Sequence, residues 1–286
     1  MKFINELNRI RLNNNEKKIS IIIGDPVNHS LSPVMHTKGY ESLNIDNSYC
    51  FDKITVKKDE LHEFINDLKV FNNQYNIVIG LTCTMPHKEN IIQYVDKIQG
   101  EAKIINAVNS VVINNNIYTG YNTDWYGIER PFIERNIDLQ NKKVAIIGAG
   151  GASRSAIYAF KKNNCIITIF NRTKEKADLL ANEFQCLSNS LDNDELLKNN
   201  DIIINTTNVG MGELIDSSPV NLDVITNKHI VFDCIYKPQE TKLIKKAKQV
   251  KAEIIFGWEM LLYQGVMQFE LYTNKSPNIY NMRSVL

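Results

Sequence analysis

The residues best placed to do chemistry are Gly148-Ala149-Gly150-Gly151-Ala152-Ser153 and, further on, Asn171-Arg172-Thr173. The first run follows the apolar stretch Val144-Ala145-Ile146-Ile147 and opens a helix-like pattern from Ala152 to Lys162. The second closes the apolar stretch Ile166-Ile167-Thr168-Ile169-Phe170. Strand, glycine turn, helix and strand together form the unit that binds dinucleotides. Gly148 permits the tight turn, and Gly150 leaves no Cβ between the backbone and a pyrophosphate. The helix N-terminus supplies free N–H groups and a dipole that favours negative charge. Ser153 stands where the general fingerprint has a third glycine. The residue ending the second strand selects the dinucleotide. A carboxylate there would hold a ribose 2′-hydroxyl, whereas the guanidinium of Arg172 would pair with a 2′-phosphate. The expected cofactor is therefore NADP. A glycine-rich turn in an ordinary α/β domain is the plainer alternative.

Other candidate chemistry lies in loops that follow strands, where ligands sit in open α/β sheets. Ser30 and Ser32 could bind a hydroxylated, acidic small molecule, although Ser32 also reads as the N-cap of a helix over Pro33–Leu43. Lys88 reads as lying in the first turn of a helix over Lys88–Val95, the end where a cation is disfavoured. It is either a solvated surface lysine or a positioned acid. Hydride addition to a ketone develops alkoxide charge, and an ammonium group can stabilise that charge and deliver the proton. Asp124 is either the N-cap of the helix that follows it or the carboxylate partner of Lys88.

These residues need a frame, and strand and helix patterns alternate nearly throughout the chain, which predicts α/β architecture with mainly parallel sheets. Strands are expected at Ile19–Gly24, Tyr49–Val56 and Ile77–Cys83, and a hairpin at Val108–Ile113 and Ile117–Tyr121 around Asn114-Asn115-Asn116. Residues 1–18 read as a helix or strap. Two α/β domains around a cleft are expected. The first is a substrate-binding catalytic domain over 1–128, completed by C-terminal helices over about 259–286. The second is a Rossmann-type dinucleotide-binding domain over 129–258.

Composition sets outer bounds. The chain has 286 residues, 43% of them hydrophobic, enough for substantial cores. Its net charge of +1 makes no electrostatic case for nucleic acid or an anionic membrane as partner. No apolar run approaches a membrane span, and the N-terminus lacks a signal-peptide core. Cys50, Cys83, Cys165, Cys186 and Cys234 are scattered, as suits reduced thiols in a cytoplasmic protein. The histidines lack metal-ligand spacing, so no metal is expected.

The chain resembles the shikimate dehydrogenase family from about Ile19 to Tyr272. The matching pieces, in the family's order, begin with His29-Ser30-Leu31-Ser32-Pro33, Thr84-Met85-Pro86-His87-Lys88, Ala107-Val108-Asn109 and Asn122-Thr123-Asp124. They continue with the glycine run, Asn171-Arg172-Thr173, Asp233-Cys234-Ile235-Tyr236-Lys237-Pro238 and Met260-Leu261-Leu262-Tyr263-Gln264-Gly265. The resemblance implies NADP-linked interconversion of 3-dehydroshikimate and shikimate in aromatic biosynthesis, with Lys88 and Asp124 as the catalytic pair. It implies that Ser30, Ser32, Thr84, Asn109 and Gln264 bind the substrate, with Tyr236 nearby. It places Gly148, Gly150, Gly151, Ala152, Ser153, Asn171, Arg172 and Thr173 at the cofactor, with Lys176 as a second cation for the 2′-phosphate. Ser153 is what the family itself carries. Thr82 replaces an asparagine usual in the family. The Met-Pro wording and the Leu-Leu-Tyr-Gln-Gly run look similar to the quinate/shikimate dehydrogenase branch, which leaves quinate as substrate and NAD as cofactor open. A non-catalytic NADP- or shikimate-binding protein is the reading from another class. The expected partner is thus a small molecule, and the chain a monomer or homodimer.

Overall fold

A computed structural model describes all 286 residues. The chain divides into two compact units, Met1–Thr123 with Gln264–Leu286, and Asp124–Tyr263.

The first unit is built on six strands: β1 (Lys18–Gly24), β2 (Tyr49–Thr55), β3 (Val78–Cys83), β4 (Lys97–Ile98), β5 (Ser110–Asn114) and β6 (Ile117–Tyr121). Their order in the sheet is β2-β1-β3-β5-β6-β4. The isoleucine-rich β1 is buried at every position after Lys18, as a strand covered on both faces must be. Strands β2 and β3 flank it in parallel. The second half of the sheet holds the expected hairpin, β5 running antiparallel to β6, and β5 is also antiparallel to β3, while β4 is parallel to β6. The Asn115-Asn116 turn, both residues having positive φ (49° and 59°), folds β5 directly back into β6.

Four helices belong to the first part of this unit: α1 (Ile4–Asn13), α2 (Ser32–Ser42), α3 (Leu61–Tyr75) and the short α4 (Ala102–Ile105). Phe3, Leu7 and Ile10 pack with Phe64, Leu68 and Phe71 of α3 against Ile19, Ile21 and Ile23. Residues 1–18 thus supply one wall of a core. A second cluster joins Ile22, Tyr40 and Phe51 to Phe269 and Tyr272.

The second unit holds β7 (Lys143–Ile147), β8 (Ile166–Asn171), β9 (Leu187–Ser190), β10 (Ile202–Asn205), β11 (Ile230–Asp233) and β12 (Glu253–Ile255). Its helices are α5 (Asp124–Glu134), α6 (Gly151–Lys162), α7 (Lys174–Phe184), α8 (Asp194–Lys198) and α9 (Lys242–Val250). Helix α10 (Gly257–Thr273) begins in this unit and ends in the first, where α11 (Ile279–Arg283) follows. All pairings in this sheet are parallel, in the order β12-β11-β10-β7-β8-β9. This is the doubly wound order of a Rossmann-type fold, and it reverses between β7 and β10, the point where such sheets bind ligands. No helix is long and apolar enough to cross a membrane.

Two local expectations need correction. Residues 88–95 form no α-helix: Lys88 lies in a turn, followed by a 3₁₀ segment at Asn90–Tyr94. The carbonyl of Lys88 accepts the N–H of Val108 at 2.7 Å, which takes the group a first helical turn would use. The helix-dipole argument at Lys88 therefore falls. Helix α2 begins at Ser32 itself, after Leu31, so Ser32 is not its N-cap.

Candidate active site

In the second unit, the loop after β7 carries Gly148, Gly150 and Gly151 into α6. Gly148 has φ +116°, and a Cβ there would come within 2.8 Å of Thr206 Oγ1. A Cβ on Gly150 would meet no protein atom within 4 Å. The turn therefore opens onto space beside the first N–H groups of a 12-residue helix, a fit for a pyrophosphate. Ser153, fully buried, closes the turn from beneath. Its Oγ accepts the Gly150 N–H at 3.1 Å and lies 2.7 Å from Thr206 Oγ1, which donates to the Ile147 carbonyl at 2.7 Å. Since the Thr206 hydrogen is committed to that carbonyl, Ser153 donates to Thr206. A relay thus ties the glycine turn to the loop after β10, across the switch point.

After β8, the Asn171 amide donates to the Thr173 carbonyl at 2.8 Å and shapes the entry to α7. Arg172 and Lys176 are exposed. Neither forms an ion pair with a carboxylate, so both cations are available to a phosphate. The loops after β10 and β11 are held by a residue the sequence reading left without a role. Asp233 is fully buried and accepts from Asn205 Nδ2 at 3.0 Å, Ile235 N at 3.1 Å and Thr241 Oγ1 at 2.6 Å. Burial pushes its carboxyl up, against the pull of these donors. Tyr236 is half-buried in the loop that Asp233 anchors.

In the first unit, the loop after β3 carries Thr84 and Lys88. Thr84 N donates to Ile23 O at 3.0 Å, and His87 N donates to Thr84 O at 2.8 Å. The His87 ring is buried, and its Nε2 lies 2.7 Å from the Val56 carbonyl. A carbonyl only accepts, so Nε2 carries the hydrogen. Burial lowers the His87 pKa, against the pull of the Val56 carbonyl and Asp25. The loop is thereby pinned on both sides of Met85-Pro86, and Lys88 is half-buried at its end. Burial pushes the nearby Cys83 thiol up, while the Lys88 charge pulls the other way.

Asn109, next to β5, is buried beside Thr123 and Gln264. Its Nδ2 donates to Thr123 Oγ1 at 2.9 Å and faces Gln264 Oε1 at 3.5 Å. Ser30 Oγ accepts the Ser32 N–H at 3.2 Å, so the local bonding role expected of Ser32 belongs to Ser30. Asp124 is the first residue of α5 in the second unit, and it is buried. Sequence reasoning missed Thr123, Ser110 and Gln268, which bond to Asn109 or to one another. A signal was present: Gln264 and Gln268 are polar residues four apart in the mainly apolar stretch Met260–Phe269 of α10. No group of three or more His, Cys, Asp or Glu side chains is arranged to hold a metal ion, and the cysteines are unpaired.

Residues 22–111 match the shikimate dehydrogenase substrate binding domain, 132–233 the shikimate / quinate 5-dehydrogenase family, and 257–286 the shikimate 5′-dehydrogenase C-terminal domain. The chain belongs to the shikimate dehydrogenase family. That is a family of oxidoreductases, and its curated members similar to this chain align over nearly the full length. The shikimate dehydrogenase (NADP(+)) of Nitrosopumilus maritimus is 40% identical over 276 residues, covering 94% of this chain and 98% of the relative. That of Methanococcus aeolicus is 38% identical over 283 residues, covering 96% of this chain and 98% of the relative. A crystal structure of a shikimate dehydrogenase in complex with NADP+ superposes with a TM-score of 0.86 at 35% identity, covering 95% of each chain.

Proposed function

We propose that the protein catalyses the NADP-linked, reversible reduction of 3-dehydroshikimate to shikimate, in the pathway that leads to aromatic amino acids. The observation that carries the cofactor reading is Arg172, a cation without an ionic partner at the end of β8, one strand from a glycine turn with room above Gly150. The N–H groups of Gly151, Ala152 and Ser153 would hold the pyrophosphate, and Arg172 and Lys176 the 2′-phosphate, beside Asn171 and Thr173. NADP, when bound, supplies the hydride in one direction and takes it up in the other.

The chain's own residues handle the proton and the ring. In reduction the Lys88 ammonium gives a proton to the substrate oxygen as alkoxide charge develops there. In oxidation the neutral amine takes that proton back. Asp124 shares the task as the accompanying carboxylate. Ser30, Ser32, Thr84, Asn109, Tyr236 and Gln264 would bind the hydroxyls and carboxylate of the ring, their donors suited to its oxygens.

The test is turnover of shikimate by Lys88→Ala beside the wild-type protein. Loss of a general acid/base costs roughly 10²–10⁴-fold in turnover. That loss is expected with NADP affinity unchanged. Turnover close to wild type would remove Lys88 from the mechanism.

A further inference from the structure

We propose that Gln268, backed by Thr82 and Tyr272, is a positioning residue that fixes which edge the Asn109 amide shows to the substrate; this rests on the substrate reading given above. Gln264, Gln268 and Tyr272 recur every four residues on α10 and therefore share one face of the helix. Thr82, Asn109, Ser110, Thr123 and these three are all buried, so each polar group needs a partner.

The partners form a chain with a direction. Gln268 Nε2 can only donate, and it reaches Ser110 Oγ at 2.9 Å. The single hydrogen of Ser110 then goes to Asn109 Oδ1 at 2.9 Å. That oxygen also receives the Thr123 N–H at 2.8 Å. Asn109 thus commits its oxygen inward and turns its Nδ2 toward Thr123 Oγ1 and Gln264. A flipped amide would set NH₂ against both the Thr123 N–H and the Ser110 hydroxyl hydrogen, donor against donor. At the other end, the Tyr272 hydroxyl lies 2.9 Å from Thr82 Oγ1, which faces Gln268 Oε1 at 3.5 Å. Thr82, where the family usually has asparagine, acts through Tyr272 and Gln268. The chemical consequence is that the edge of Asn109 facing Gln264 is its donor edge, and an oxygen of a hydroxylated or carboxylated ring would replace the long 3.5 Å contact made there.

Gln268→Leu leaves Ser110 free to rotate its hydroxyl, and a disrupted buried hydrogen bond of this kind is worth roughly tenfold. The KM for shikimate is expected to rise by about that factor, with the KM for NADP unchanged and kcat altered much less. Thr82→Val, which keeps the shape and loses the hydroxyl, should move the shikimate KM in the same direction, and Thr82→Ser should restore it. A second readout needs no substrate: exchange of the Asn109 side-chain amide protons, followed by NMR in the ligand-free protein. It is expected to be slow in the wild type and faster in Gln268→Leu. Unchanged exchange in a folded Gln268→Leu would overturn the relay, and an unchanged shikimate KM would overturn its part in recognition. An equal rise in the KM for NADP would mark general loosening and overturn it too. Should Gln268→Leu fail to fold, equal shikimate KM values and equal Asn109 exchange in Thr82→Val and Thr82→Ser would overturn the proposal. Should the wild type not act on shikimate, the functional reading fails, and amide exchange alone still decides the relay.

Discussion

Arg172 sits in solvent at the end of β8 with its charge uncommitted. A guanidinium–phosphate contact is worth about 1.5–3 kcal/mol, so Arg172→Ala should raise the KM for NADP roughly ten- to hundredfold. The KM for NAD, which lacks the 2′-phosphate, should change little. Equal losses for both would contradict the assigned role. Residues of this kind are legible in the sequence because their meaning is local: a glycine turn, then an arginine one strand later. Ser30 and Ser32 were harder to separate, since a helix start displaced by one residue exchanges their bonding. The Asn109 amide network was not legible as a whole, because Gln268 reaches Ser110 across 158 positions of sequence.

Among elements, the glycine turn depends on a bond that the general fingerprint does not contain. Ser153 takes the Gly150 N–H and passes its own hydrogen to Thr206. Ser153→Ala removes the acceptor of the Gly150 N–H, and since Gly150 is exposed the cost is the net worth of a hydrogen bond, about 0.5–1.5 kcal/mol. The expected result is a lower midpoint in urea unfolding and a several-fold higher KM for NADP, with the KM for shikimate unaffected. No change in either would mean that the relay does not shape the turn. The apolar runs of β1, β7, β8 and β10 announced themselves, because β-branched residues in short continuous runs suit strands buried on both faces. Residues 88–95 misled for the opposite reason. Their pattern suits a helix, but the Lys88 carbonyl is taken by Val108, a residue twenty positions on in the loop before β5, which the local sequence cannot reveal.

For the whole molecule, the alternation of strand and helix announced the α/β class and the doubly wound sheet, and the β5–β6 hairpin followed from one asparagine turn. Stability should depend on pH through His36, which is fully buried among Tyr40, Phe51 and Phe269. Burial lowers its pKa from 6.5 to about 3. Between those values the unfolded chain binds a proton that the folded chain does not, so stability falls as pH drops through this window. His87 shifts in the same direction. The melting temperature is expected to fall from pH 6.5 to pH 4, less steeply in His36→Leu. A slope identical to that of the wild type would show that His36 is not the group responsible. The most direct test of the central claim is nicotinamide reduction by the purified protein, with shikimate and quinate each paired with NADP and NAD. The account predicts a kcat/KM highest by far for shikimate with NADP. Activity mainly with quinate, equal activity with NAD, or none in any pairing would contradict it.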